Sequence, residues 1–135
     1  MITTKRLLLA LLAVDTAGGA VAVRYRVAGE PLGIGGSLDV RKPVVVALWG
    51  TALSAPVTSL AVAAAHYRRR PGALRLLGAM FALGGLAEPV FWGRRPCPAH
   101  GRMLLVAHVA VATALATCPA GVGRGVGRIQ SGTAA

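Results

Sequence analysis

Negative charge is the scarcest commodity in this chain. Of 135 residues only four are Asp or Glu, against fifteen Lys or Arg, and charged residues make up 14% of the whole. Soluble domains carry about 25% charge, so the composition argues against an ordinary water-facing domain. Cysteine is also scarce, and two of them cannot build a disulfide framework. No Ser-His-Asp, phosphate-loop or zinc-site spacing occurs, and an enzyme is the least favoured class. His66, His100 and His108 include no pair four apart on one helix, so neither a metal nor a haem cofactor is expected.

What the chain has in excess is apolar sequence: 55% hydrophobic residues and a mean hydropathy of +0.63. A soluble protein this small has too little interior to hide that much, and lipid is the natural environment. The apolar residues fall into four blocks, near 7–23, 43–65, 73–92 and 103–120, each flanked by basic residues. Blocks of this size form helices of about 26–35 Å, against a hydrocarbon core of about 30 Å. The expected fold is therefore all-α: a polytopic integral membrane protein, built as an antiparallel four-helix transmembrane bundle within one domain of residues 1–120. Residues 24–42 are read as an extramembrane loop and 121–135 as a flexible, basic, glycine-rich tail. The first block also fits a signal peptide with a small-x-small site at Ala20-Val21-Ala22, although Asp15, Arg24 and Arg26 favour its retention.

The formal charge of +11 does not form a nucleic-acid footprint. Its basic residues sit at block ends, where long side chains reach anionic lipid headgroups, so the expected partners are the bilayer, a second copy or another membrane protein. Orientation is almost balanced. Eight basic residues fall on one side (Lys5, Arg6, Arg68, Arg69, Arg70, Arg75, Arg124, Arg128) and seven on the other (Arg24, Arg26, Arg41, Lys42, Arg94, Arg95, Arg102). The run Arg68-Arg69-Arg70 in a short connection favours both termini in the cytoplasm of a multi-pass protein.

Three ionisable residues lie inside blocks: Asp15, Glu88 and His108. Counting from block ends puts Glu88 and His108 about 7–9 Å, and Asp15 about 13 Å, below one and the same surface. Trp49, Thr51 and Ser54 descend from that side as well. These six residues form the candidate site for a ligand or proton, since intramembrane charge is the default flag for function. Pro56 and Pro89 each remove a backbone donor, near Ala52 and beside Glu88, and add broken backbone to the cluster.

Small residues recur at every fourth position of the second block: Ala47, Thr51, Ala55, Ser59 and Ala63, a pattern expected at a helix-packing interface. Gly84 precedes Glu88 by four residues, and Gly19 follows Asp15 by four. Two functions stay open. One is a proton-linked binding or transport module, or accessory membrane subunit, with the polar cluster at its site. The other is an assembly protein whose polar residues only fasten helices and whose small-residue face docks a partner. Four spans in a chain of this length is a size common among small bacterial membrane proteins, and no motif ties the sequence to one family.

Overall fold

The computed structural model of the protein describes residues 3–29, 40–66 and 71–119. Among them the chain is helical and contains no strand: α1 Thr4–Tyr25, α2 Pro43–Trp49, α3 Val57–His66, α4 Pro71–Ala87 and α5 Ala99–Thr117. Most of the 24–42 loop, the Arg68-Arg69-Arg70 run and the 121–135 tail lie outside the described residues.

Local chemistry sets the ends of these helices. Thr3 caps α1 by accepting a hydrogen bond from the Arg6 amide at 3.4 Å. At the other end Arg26 turns left-handed (φ 57°) and its amide closes the last turn onto Ala22. Pro98, extended, leads into α5 and its carbonyl accepts from Arg102 at 3.2 Å. Beyond the last turn of α5, the Cys118 carbonyl accepts from Arg75 Nε at 2.8 Å.

The uncharged run 43–65 is not one continuous helix. It stops after Trp49 and restarts at Val57, with residues 50–56 folded back on themselves. Gly50 adopts φ +75°, where a side chain is disfavoured, and Pro56 has no amide to continue a helix. Between them Thr51 and Ser54 exchange backbone hydrogen bonds of 2.9 and 3.4 Å. Thr58 then donates its hydroxyl to the Ala47 carbonyl, one of the acceptors left open where α2 ends. The every-fourth-residue stripe therefore does not form one helix face: Thr51 and Ala55 fall in the break, and only Ser59 and Ala63 share a helix.

The third block also ends early. Proline disfavours helical geometry in the residue before it, and α4 stops at Ala87, one residue before Glu88-Pro89. The Gly85 carbonyl accepts from the Glu88 amide at 3.3 Å, and Trp92 Nε1 donates to the Leu86 carbonyl at 2.7 Å. The carbonyls near the end of α4 thus find partners.

Helices α4 and α1 both pack along α5, while α3 packs on α1 and α2. Gly78 lies against Ala112–Ala116, and Gly85 against His108–Val109, so α4 and α5 run antiparallel. Thr4 near Cys118, and Tyr25 near His100, place α1 antiparallel to α5. At Gly78 an added methyl carbon would stand 2.7 Å from the Ala116 nitrogen, so this glycine is what lets the two backbones approach. One apolar core gathers Leu7, Leu8, Leu11, Leu60, Leu74 and Leu115; a second gathers Ala22, Leu53, Val90 and Leu105 toward the other end.

Among the described residues two helices, α1 and α5, are long and apolar enough to cross a membrane. Only 39% and 28% of their most apolar stretches are buried inside the protein.

Candidate functional site

The centre of the bundle is polar. Asp15, in the middle of α1 and fully buried, meets His108 of α5, with Oδ1 to Nδ1 at 2.6 Å. The other ring nitrogen, Nε2, lies 3.2 Å from the Phe81 carbonyl of α4. A carbonyl only accepts, so Nε2 carries a hydrogen and donates. Nδ1 and Oδ1 then hold one proton between them, as imidazolium and carboxylate or as imidazole and carboxylic acid. Either way the pair with its proton is electrically neutral, which is the condition for burial at low cost. Its second oxygen, Oδ2, has no hydrogen-bond partner among the described residues. Three helices thus converge on one imidazole.

His108 also borders a cavity of about 140 Å³. Thr51, Ala52, Ser54, Ala55 and Pro56 of the break line one side, and Met80, Phe81, Gly84, Gly85, Glu88, Leu105 and His108 the other. The break presents its hydroxyls there, Thr51 Oγ1 and Ser54 Oγ standing 2.9 Å apart. Thr51 Oγ1 additionally accepts from the Leu53 amide at 3.1 Å. Glu88 is buried at 6% exposure, in the turn that Pro89 forces. Of the lining residues, Met80 and Gly84 of α4 are exposed.

Of the six site residues expected from the sequence, four line the cavity: Glu88, His108, Thr51 and Ser54. Asp15 stands behind it, joined through His108. Trp49 lies apart; it ends α2 with its side chain 69% exposed and does not line the cavity. Gly84 faces open space, and the glycine that packs inward beside the site is Gly85, whose added methyl carbon would come 3.2 Å from the His108 ring. Gly18 does the corresponding work on α1. Its Cα faces the Leu53 carbonyl so closely that no side chain fits, while Gly19 faces Ser54 and Val46.

Phe81 was missed by sequence reasoning, because its role is played by its backbone carbonyl and its ring, which stands 6.3 Å from that of His108. No residue-type pattern announces a main-chain acceptor. Among the described residues no cluster of His, Cys, Asp and Glu could hold a metal. Both cysteines are free and sit at opposite ends of α5. Burial pushes the Cys97 thiol up, with the Arg102 charge pulling the other way. In comparisons with protein-family models, curated proteins and solved structures, nothing matches the chain.

Proposed function

We propose that the chain is a small multi-pass membrane protein that serves as a proton-linked binding or transport module, or as an accessory membrane subunit with such a site. The observation that carries this reading is the neutral, proton-sharing Asp15–His108 pair set directly behind a cavity that Glu88 also lines. A structural ion pair needs no adjoining void, and a ligand site does. Interrupted helix backbone at membrane depth is tolerated where it lines a cavity, as the Thr51–Ser54 turn does here.

The four-span bundle is part of the proposal. Its spans are α1, the α2–break–α3 unit, α4 and α5. In a soluble protein the most apolar helices are mostly covered, whereas here large apolar side chains such as Leu76, Leu83, Met103 and Val106 face outward. In lipid they are at home. Helix α1 is retained in this reading because it supplies Asp15, and both termini are cytoplasmic.

The assembly reading draws support from one feature. An apolar groove of about 500 Å³ runs between α3 and α4, lined by Ser59, Ala63, Leu74 and Leu77 among others. A partner helix, or a second copy, would fill it.

Native mass spectrometry of the protein released from its own membrane in mild detergent separates the two. A retained non-lipid molecule of small mass, lost in Glu88→Gln, is the outcome expected here. A bare homo-oligomer, or a stoichiometric protein partner lost in Ala63→Leu, would favour assembly.

A further inference from the structure

We infer that the pocket where α1 ends and α5 begins seats the phosphate of one anionic glycerophospholipid. The inference rests on the membrane placement proposed above and concerns a different site, at the end of the bundle.

Position comes first. Tyr25 closes α1 and His100 lies in the first turn of α5, and their rings meet edge-on at 5.4 Å. The 22 residues of α1 make a helix of about 33 Å, just longer than a hydrocarbon core of about 30 Å. Tyr25 therefore stands at headgroup level, where Tyr and Trp are enriched, and exposed Trp92 belongs to the turn that meets the same end of α5. Beside Tyr25 lies a pocket of about 370 Å³, lined by Tyr25, Val27, Pro96, Cys97, Pro98 and Arg102. That is the size of a small-molecule site.

Charge comes second. No carboxylate lines this pocket. The Arg102 guanidinium lies over Gly93, and among the described residues nothing engages it in a hydrogen bond or ion pair. Burial keeps the Cys97 thiol in its neutral form, so it adds no negative charge. Four more arginines stand exposed at this end: Arg24 and Arg26 at the close of α1, and Arg94 and Arg95 after α4. The whole chain holds only four acidic side chains, and Asp15 is tied to His108. Glu30, Asp39 and Glu88 are the three others, so five arginines keep an excess of positive charge wherever those three lie.

The groups present select the ligand. A guanidinium forks onto two oxygens of a phosphate, and the Tyr25 hydroxyl is a further donor on the same wall. Val27, Pro96 and Pro98 give the rest of the wall an apolar surface suited to the glycerol and the first acyl methylenes. A headgroup with its own cation would set that charge among the five arginines, so a net-anionic lipid is favoured over a zwitterionic one.

The test is native mass spectrometry of the full chain in mild detergent, titrated with phosphatidylglycerol, with phosphatidylcholine of the same acyl chains, and with inorganic phosphate. One phosphatidylglycerol per chain should be retained at a concentration at least about fivefold below that needed for phosphatidylcholine. Arg102→Gln should bring the two lipids to within about twofold of each other. Arg75→Gln, an exposed arginine at the opposite end of the bundle, should leave the preference unchanged. Equal retention of the two lipids by the unmodified protein overturns the inference, even where a variant fails to fold. A preference that survives Arg102→Gln in folded protein also overturns it. Displacement of phosphatidylglycerol by excess inorganic phosphate would assign the pocket to a free phosphate and overturn the lipid. Folded protein that purifies without detergent would overturn the membrane placement itself, which equal lipid retention leaves standing.

Discussion

Two halves of this molecule are built on different rules. Helices α1, α4 and α5 are uninterrupted, and they meet through a glycine contact at Gly78 and a buried polar link at Asp15–His108. The α2–break–α3 unit rests chiefly on α1, and its centre is a turn whose hydroxyls face a cavity. Continuous helices satisfy their own backbone and can be packed tightly. An interrupted one exposes polar backbone and side chains, which must find partners within the protein. The first half supplies a scaffold, and the second supplies surface to a site.

The sharpest way to break that contrast is to cut the link inside the scaffold. Asp15→Leu leaves Nδ1 of His108 buried without a partner, and a loss of about 3 kcal/mol is expected. The double variant Asp15→Leu/His108→Leu should recover most of it, since a well-packed apolar pair can replace a buried polar one. Thermal unfolding in detergent checks both. Equal losses in the single and double variants would show that packing volume, not the polar link, holds these helices.

Next in size is the glycine pair on α4. Gly78→Ala presses a methyl group against the α5 backbone, and about 1–3 kcal/mol should be lost. Gly84→Ala, six residues along the same helix, meets nothing within 4 Å and should be neutral or stabilise by up to about 1 kcal/mol. Reversal of that order would mean that α4 is rotated relative to α5.

In the interrupted half the effects on stability should be smaller. Ser54→Ala removes one hydroxyl contact, worth about 1 kcal/mol. Folded yield should hardly change while retention of the small molecule in native mass spectrometry falls. A collapse in yield would make the break part of the scaffold.

The smallest effect concerns reactivity at the far end of the second core. Only the thiolate is alkylated, and burial raises the Cys97 thiol above its ordinary value, so labelling at neutral pH should be slow and should quicken as the pH is raised. Arg102→Gln removes the charge that opposes this rise and should slow labelling further. Mass-spectrometric labelling rates across pH measure it.

Much of this site is legible in the residue order. Asp15, Glu88 and His108 stand out as ionisable residues in apolar runs, and depth counted from the run ends assigns them to one side. Pro56 and Pro89 point to the two places where helix gives way, because a proline acts on its own and the preceding residue whatever surrounds it. The stripe from Ala47 to Ala63 misleads for the same local reason. A four-residue spacing defines a face only while the helix continues, and Gly50 and Pro56 end that continuity.

The sequence by itself determined the helical class, the apolar character of the exterior and the presence of ionisable residues within apolar runs, all of which follow from residue type and spacing along a single helix. Tertiary structure alone decided that His108 binds Asp15, that the Phe81 carbonyl holds the other ring nitrogen, and that Gly85 rather than Gly84 packs inward. Those outcomes depend on the rotation and axial offset of one helix against another, and helical periodicity within either chain segment carries no record of them.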